Sequence, residues 1–182
     1  MPFTFTRLRI PEIILVTPTY FADERGAFVE TYKYSEFLRG GITEQFVQDN
    51  QSLSKRNVIR GLHFQKQPQA QGKLVRCLKG KIFDVAVDLR KSSPTYATWV
   101  GFELSSENSA MLYIPPAFAH GFVALSEDAV VSYKCTKEYS KELDTGICWN
   151  DPTINIRWPG EDFIVSRKDR HLPLLNDSDA NF

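Results

Sequence analysis

An all-β fold, an antiparallel sandwich or barrel with few helices, is what this chain of 182 residues predicts. Three observations point there. Short runs rich in branched and aromatic residues recur along most of the chain, and turn residues punctuate them at close intervals. Ile82 to Leu89 alternates strictly, with Phe83, Val85, Val87 and Leu89 on one side and Ile82, Asp84, Ala86 and Asp88 on the other, the period of a strand. Only Ser35-Glu36-Phe37-Leu38-Arg39-Gly40 suits a helix, with a cap residue at one end and glycine at the other.

In chain order, Ile13 to Val16 and Ala27 to Tyr32 read as strands joined through the turn-prone Asp23-Glu24-Arg25-Gly26. Phe46 to Leu53 follows the helix as a strand that puts Gln48 and Asn50 on one face. Val58 to Gln65 is β-rich but interrupted by Gly61. A glycine inside a strand marks a bulge or a close approach, and a bulge would bring Arg60 and His63 to one cavity despite their spacing of three. Gln67 to Gly72 reads as a loop, and Lys73 to Leu78 as a strand ending in a Lys79-Gly80 turn. Past the Ser92-Ser93-Pro94 turn, Tyr96 to Leu104 is a further strand. Met111 to Ile114 is stopped by Pro115-Pro116, which cannot continue a central ladder. Phe118 to Leu125 and Ala129 to Cys135 close the series, with Val131, Tyr133 and Cys135 on one face. From Asp162 to Phe182 the pattern weakens to at most a helical turn near Ser166.

The length fits one domain, residues 1–182, with no linker-like stretch to divide it. Lys plus Arg (22) balance Asp plus Glu (22), so neither a nucleic-acid coat nor a polybasic membrane anchor is expected, and any anion site must be local. Cys77, Cys135 and Cys148 lie within or beside apolar runs and are read as buried thiols of a reducing compartment rather than disulfides. Ile13 to Val16 is too short for a signal segment or a membrane span, and a cytoplasmic protein is expected.

The histidines are His63, His120 and His171. A barrel metal site needs two or three histidines converging with a carboxylate, commonly with a His-x-His pair. No such pair exists here, so the expected site uses no metal and no cofactor. A lone histidine is most often a core imidazole satisfied by its neighbours, and Tyr133 alone would be a packing residue. The company of Arg60 and Lys73 changes that reading for His63, because cations are seldom turned into a small barrel unless an anion binds there.

Taken together, Phe46-Val47-Gln48-Asp49-Asn50, Arg60-Gly61-Leu62-His63-Phe64-Gln65, Gln71 to Arg76, Asp84 to Arg90, Ser93-Pro94-Thr95, Ile114-Pro115-Pro116 with Ala119-His120-Gly121-Phe122, and Trp149-Asn150-Asp151-Pro152 resemble the dTDP-4-dehydrorhamnose 3,5-epimerases, in the same order from about Ile10 to Pro173. The resemblance implies a cupin jelly roll, working as a homodimer without a metal on dTDP-4-dehydro-6-deoxyglucose. By position, it makes His63 the general base, Asp169 the carboxylate that orients it, Tyr133 the acid on the opposite face of the sugar, and Lys73 the cation beside the C4 oxygen, with His120 lining the sugar pocket. It assigns Gln48, Asn50, Arg60 and Lys168 to the nucleotide, Tyr139 to a loop beside the sugar, and Arg25, Phe28 and Glu30 to the site of a partner subunit. Two loop positions depart from the family pattern, which has glycine at Ala117 and often proline at Lys141. Inversion of only C3 or only C5, or action on another nucleotide-linked 4-ketosugar, a sugar-nucleotide binder without turnover, and a metal-dependent cupin enzyme are the alternatives.

Overall fold

The computed structural model describes residues 2–182. Two antiparallel sheets face each other. The first runs, edge to edge, β1 (Phe3–Arg7), β2 (Ile14–Pro18), β10 (Met111–Ile114), β7 (Lys73–Lys79), β12 (Asp128–Cys135) and β5 (Gln48–Lys55). The second runs β13 (Asp144–Gly146), β6 (Val58–Gln65), β11 (Phe118–Ala124), β8 (Lys81–Asp88) and β9 (Trp99–Ser105), and β14 (Ile164–Val165) adds to β6 in parallel. This is the antiparallel sandwich the residues predict, and the jelly roll the family resemblance implies.

Both faces of the second sheet are covered at β8, which explains the run of apolar residues on both sides of that strand. Ile82 and Ala86 meet Val75, Cys77, Leu112 and Val131 in the core between the sheets. Val85 and Val87 instead pack outward on Leu62, Ala119, Ile147, Ile154 and Leu175, so the C-terminal segment is the outer layer of the second sheet. Outside the first sheet, Phe37 and Ile42 cover Ile14, Val16, Leu74 and Met111. At roughly 1.5–3 kcal/mol per buried large side chain, these layers are the main source of stability.

Several elements differ from the sequence expectation. Phe3 to Arg7 pairs with β2 as an edge strand, Phe3 opposite Pro18. The strand expected from Ala27 to Tyr32 is shorter, Gly26–Val29 (β4), and it pairs with β3 (Tyr20–Asp23) in a hairpin separate from both main sheets. The helix α1 (Tyr34–Arg39) starts from Lys33, whose carbonyl accepts the amides of Glu36 and Phe37 without any side-chain cap, so Ser35 lies inside the first turn. The turn near Ser166 is α2 (Arg167–Arg170), capped by the Ser166 hydroxyl, which accepts from the Asp169 amide at 3.0 Å.

The Asp88-Leu89-Arg90 and Ser93-Pro94-Thr95 blocks close on each other. Asp88, fully buried, accepts from Arg90 Nε at 2.9 Å and Nη2 at 2.7 Å, and from the hydroxyls of Ser93 and Thr95 at 2.7 Å each. Burial pushes this carboxyl up, but these donors and the Arg90 amide, at 3.0 Å, outweigh it and hold it down at about 2. The three cysteines are free thiols, Cys77 and Cys135 buried. Among the described residues no helix is long and apolar enough to cross a membrane.

Candidate active site

The site is built where β6 breaks register. Opposite β11, His63 faces His120 and Arg60 faces Phe122, so three steps on β6 span two on β11. Gly61 is the extra residue. Its φ of +129° belongs to glycine, and a Cβ there would lie 2.5 Å from the Gly121 Cα and 2.8 Å from the His120 carbonyl oxygen. The bulge does what the sequence suggests, for Arg60 and His63 reach one cavity of about 180 Å³. The opposite wall comes from the first sheet, with Lys73 on β7 and Tyr133 on β12, and His120 completes it from β11. Ser52 and Phe122 also line it.

Asp169 stands behind His63. Pairing of Val165 with Ile59 fixes the chain beside β6, and α2 then turns the Asp169 carboxylate back so that Oδ1 lies 2.9 Å from His63 Nε2 and Oδ2 accepts the Gly61 amide at 3.2 Å. Burial pushes the Asp169 carboxyl up, but the imidazole, the Gly61 amide and the Ser166 hydroxyl outweigh it and hold it below the usual carboxylate range. The carboxylate is therefore ionised at neutral pH and orients the ring, leaving Nδ1 as the other ring nitrogen.

His120 has a similar partner, Asp84 Oδ1 at 2.7 Å from Nε2. Desolvation lowers its affinity for a proton, against the pull of Asp84, so the imidazole is neutral at neutral pH. Lys73 is buried, and loss of water around its ammonium lowers its pKa, opposed by Cys135, Asp144 and Asp84. Its Nζ stands 6.0 Å from the Tyr133 ring centre. Burial raises the Tyr133 phenol, which keeps it protonated as an acid. A proton acceptor, a proton donor and a buried cation thus surround one small space.

The remaining predicted residues divide into two groups. Arg60 is held at the rim, its Nε donating to Ser54 Oγ at 2.9 Å and Nη2 to the Leu53 carbonyl at 3.1 Å. Gln48 donates to Asn50 Oδ1 at 3.0 Å along β5, and Asn50 donates to Cys135 Sγ at 3.5 Å. Lys168 and Tyr139 meet at Asp144, whose Oδ2 accepts from Lys168 Nζ at 2.5 Å and from the Tyr139 hydroxyl at 3.3 Å. Arg25, Phe28 and Glu30 are not brought to this cavity by their own chain. Arg25 pairs with Asp23 at 2.6 Å and Phe28 is 66 % exposed, both on the β3–β4 hairpin, and Glu30 follows it.

Sequence reasoning missed Asp84, Asp144, Ser52 and Phe122. Asp84 left a signal, an acidic residue inside the most apolar alternating strand and in a register shared with a histidine strand; Ser52 left only its place on the face of Gln48 and Asn50. Among the described residues no three His, Cys, Asp or Glu side chains are grouped to hold a metal.

Against known proteins, the model of the dTDP-4-dehydrorhamnose 3,5-epimerases matches residues 7–177. The chain belongs to that family of isomerases. A family member from Methanothermobacter thermautotrophicus is 50 % identical over 179 residues, 97 % of this chain and 96 % of its own. The crystal structure of a dTDP-6-deoxy-D-glucose-3,5-epimerase from Legionella pneumophila in complex with dTDP-4-keto-L-rhamnose is 46 % identical, with a TM-score of 0.94 over 97 % of this chain and 95 % of that one. A 3'-monoepimerase from Streptomyces bikiniensis in complex with dTDP-quinovose is similar at 28 % identity, with a TM-score of 0.87 over 93 % of this chain and 86 % of that one.

Proposed function

We propose that this family member inverts both C3 and C5 of dTDP-4-dehydro-6-deoxyglucose, giving dTDP-4-dehydro-L-rhamnose, with His63 as base and Tyr133 as acid. The observation that supports it best is the convergence of an Asp169-backed His63, a buried Lys73 and a protonated Tyr133 on one cavity of about 180 Å³.

The C4 ketone acidifies the hydrogens at C3 and C5. His63 takes one of them, and Asp169 stabilises the imidazolium that forms. The electron pair moves onto the C4 oxygen, where Lys73 meets the growing charge. Water-poor surroundings strengthen that interaction, as they disfavour the lone ammonium before substrate arrives. Tyr133 then returns a proton from the other face, and the centre is inverted. Arg60, at the rim, suits a diphosphate oxygen through charge-assisted hydrogen bonds. We further propose a homodimer in which Arg25, Phe28 and Glu30 of each chain complete the partner's site; their place outside the walls of their own chain's cavity and the exposure of Phe28 support it.

The test is proton NMR of dTDP-4-dehydro-6-deoxyglucose with the enzyme in deuterated water. Loss of both the C3 and C5 signals is expected, and His63→Ala should slow it by about 10²–10⁴-fold. Inversion of a single centre is the second reading, favoured by the similarity to the 3'-monoepimerase; loss of one signal alone would establish it.

A further inference from the structure

Three glutamines from different segments converge on one tetrapeptide. Gln65, at the end of β6 and only 2 % exposed, accepts the Ser140 amide at 2.6 Å through Oε1. Its Nε2 donates to the carbonyls of Glu138 at 3.2 Å and Gln69 at 2.8 Å. Gln48 Oε1 accepts the Tyr139 amide at 2.8 Å, and Gln71 Nε2 donates to the Lys137 carbonyl at 2.8 Å. Each residue from 137 to 140 therefore has a backbone group bonded to a glutamine side chain.

This segment lies outside the sheets, just after the strand that carries Tyr133, and it holds Tyr139. The Tyr139 side chain is 57 % exposed, and its hydroxyl meets Asp144 at 3.3 Å. Its place is therefore set through the backbone, and the backbone is set by the glutamines. The residue type fits the task. A neutral amide supplies two donors and an acceptor at once, whereas a glutamate at position 65 would turn a buried charge toward two carbonyl oxygens. Gln48, assigned by resemblance to the nucleotide, already spends its acceptor on Tyr139 and a donor on Asn50.

We infer that Gln65 is a positioning residue of the reaction, the buried centre of a clamp completed by Gln48 and Gln71 that fixes Tyr139 beside the substrate. The inference rests on the reading of Tyr139 as a substrate contact in the epimerase.

The experiment is a cycle of Gln65→Leu, Tyr139→Ala and the double variant in the full chain. Its readouts are kcat/KM from C3 and C5 deuterium exchange and amide hydrogen exchange across residues 137–140. Residues that act through one hydrogen-bond network lose activity non-additively. Gln65→Leu should therefore lower kcat/KM about ten-fold in the wild-type background, less than about two-fold once Tyr139 is alanine, and expose the amides of residues 139 and 140. Equal losses in both backgrounds, or unchanged protection at those amides, would overturn the role. Gln71→Ala removes only the bond to Lys137 and carries the same test, with a smaller loss, if Gln65→Leu does not fold. Failure of the wild-type enzyme to exchange either hydrogen would refute the epimerase reading itself, which separates the two.

Discussion

Replacing Asp169 by asparagine exchanges one carboxylate oxygen for an NH2 group and should silence the base. The carboxylate makes two contacts, Oδ1 with His63 Nε2 at 2.9 Å and Oδ2 with the Gly61 amide at 3.2 Å. An amide can accept at one of these places and only donate at the other. If its oxygen stays with Gly61, its NH2 faces Nε2 and drives the ring proton to Nδ1, where a base must have none. If its oxygen stays with His63, the Gly61 amide faces another N–H and is orphaned, at about 1–3 kcal/mol of stability. If the oxygen stays with His63 the imidazolium keeps a neutral acceptor in place of the carboxylate; if the NH2 faces it, the imidazolium loses a charge-assisted hydrogen bond worth roughly 1.5–3 kcal/mol. At 1.36 kcal/mol per decade this is a fall in kcat of about 10- to 150-fold. The assay is the initial rate of deuterium entry at C3 and C5 with saturating substrate, alongside a thermal melt to confirm the fold. A kcat within about three-fold of wild type, from a folded variant, would show that Asp169 does not hold the base, since one such bond is worth more than a decade.

Tyr133→Phe keeps the ring and removes the acid, so deuterium should still enter from the His63 side while inverted product, trapped by a reductase specific for it, falls by about 10²-fold or more; equal losses of both would place the acid elsewhere. Arg60→Ala should weaken substrate and free dTDP alike, about ten-fold or more by calorimetry for each charge-assisted bond lost, and unchanged dTDP affinity would move the phosphates away from it. Asp88 falls from 3.8 to about 2 on folding, so its stabilisation is present above about pH 4 and lost as pH drops through 2. Denaturant titrations should show wild type losing about 2 kcal/mol more than Asp88→Asn over that window, and parallel losses would disprove the network's role. Ala117 sits at a φ of +72°, where a side chain costs roughly 1–2 kcal/mol. Ala117→Gly should therefore raise the melting temperature by a few degrees after about 0.4–1 kcal/mol of unfolded-chain entropy is deducted, and a lower melting temperature would contradict this.

Much of this was legible in the residues because strands announce themselves locally. The alternation of β8 and the apolar runs of β7, β11 and β12 sit where the pattern puts them, and Gly61 betrayed the bulge that unites Arg60 with His63. What could not be read is whatever depends on distant segments. Asp144 to Gly146 and Ile164 to Val165 are too short to carry a period, and they are strands only because β6 offers them an edge. Asp169 lies 106 residues from His63; resemblance paired them, and no spacing rule could have. Ala27 to Tyr32 reads as a strand joined to Ile13 to Val16 through the Asp23 to Gly26 turn, yet among the described residues Gly26–Val29 pairs with Tyr20–Asp23 alone. The glycine of the family pattern at position 117 is explained afterwards by a dihedral angle that a sequence does not display.

The contact between Gly61 and Gly121 ties two distant parts of the gene together. A side chain at Gly61 would strike the Gly121 Cα, and one at Gly121 would meet the Arg60 carbonyl at 2.8 Å and the Gly61 Cα at 3.2 Å. Both obstacles are main chain, so no change of a neighbouring side chain can make room for either substitution. Crossovers between homologues anywhere between positions 61 and 121 are harmless only if both parents bring this bare pair, and shuffled or designed libraries of this fold should hold the two codons constant as one unit.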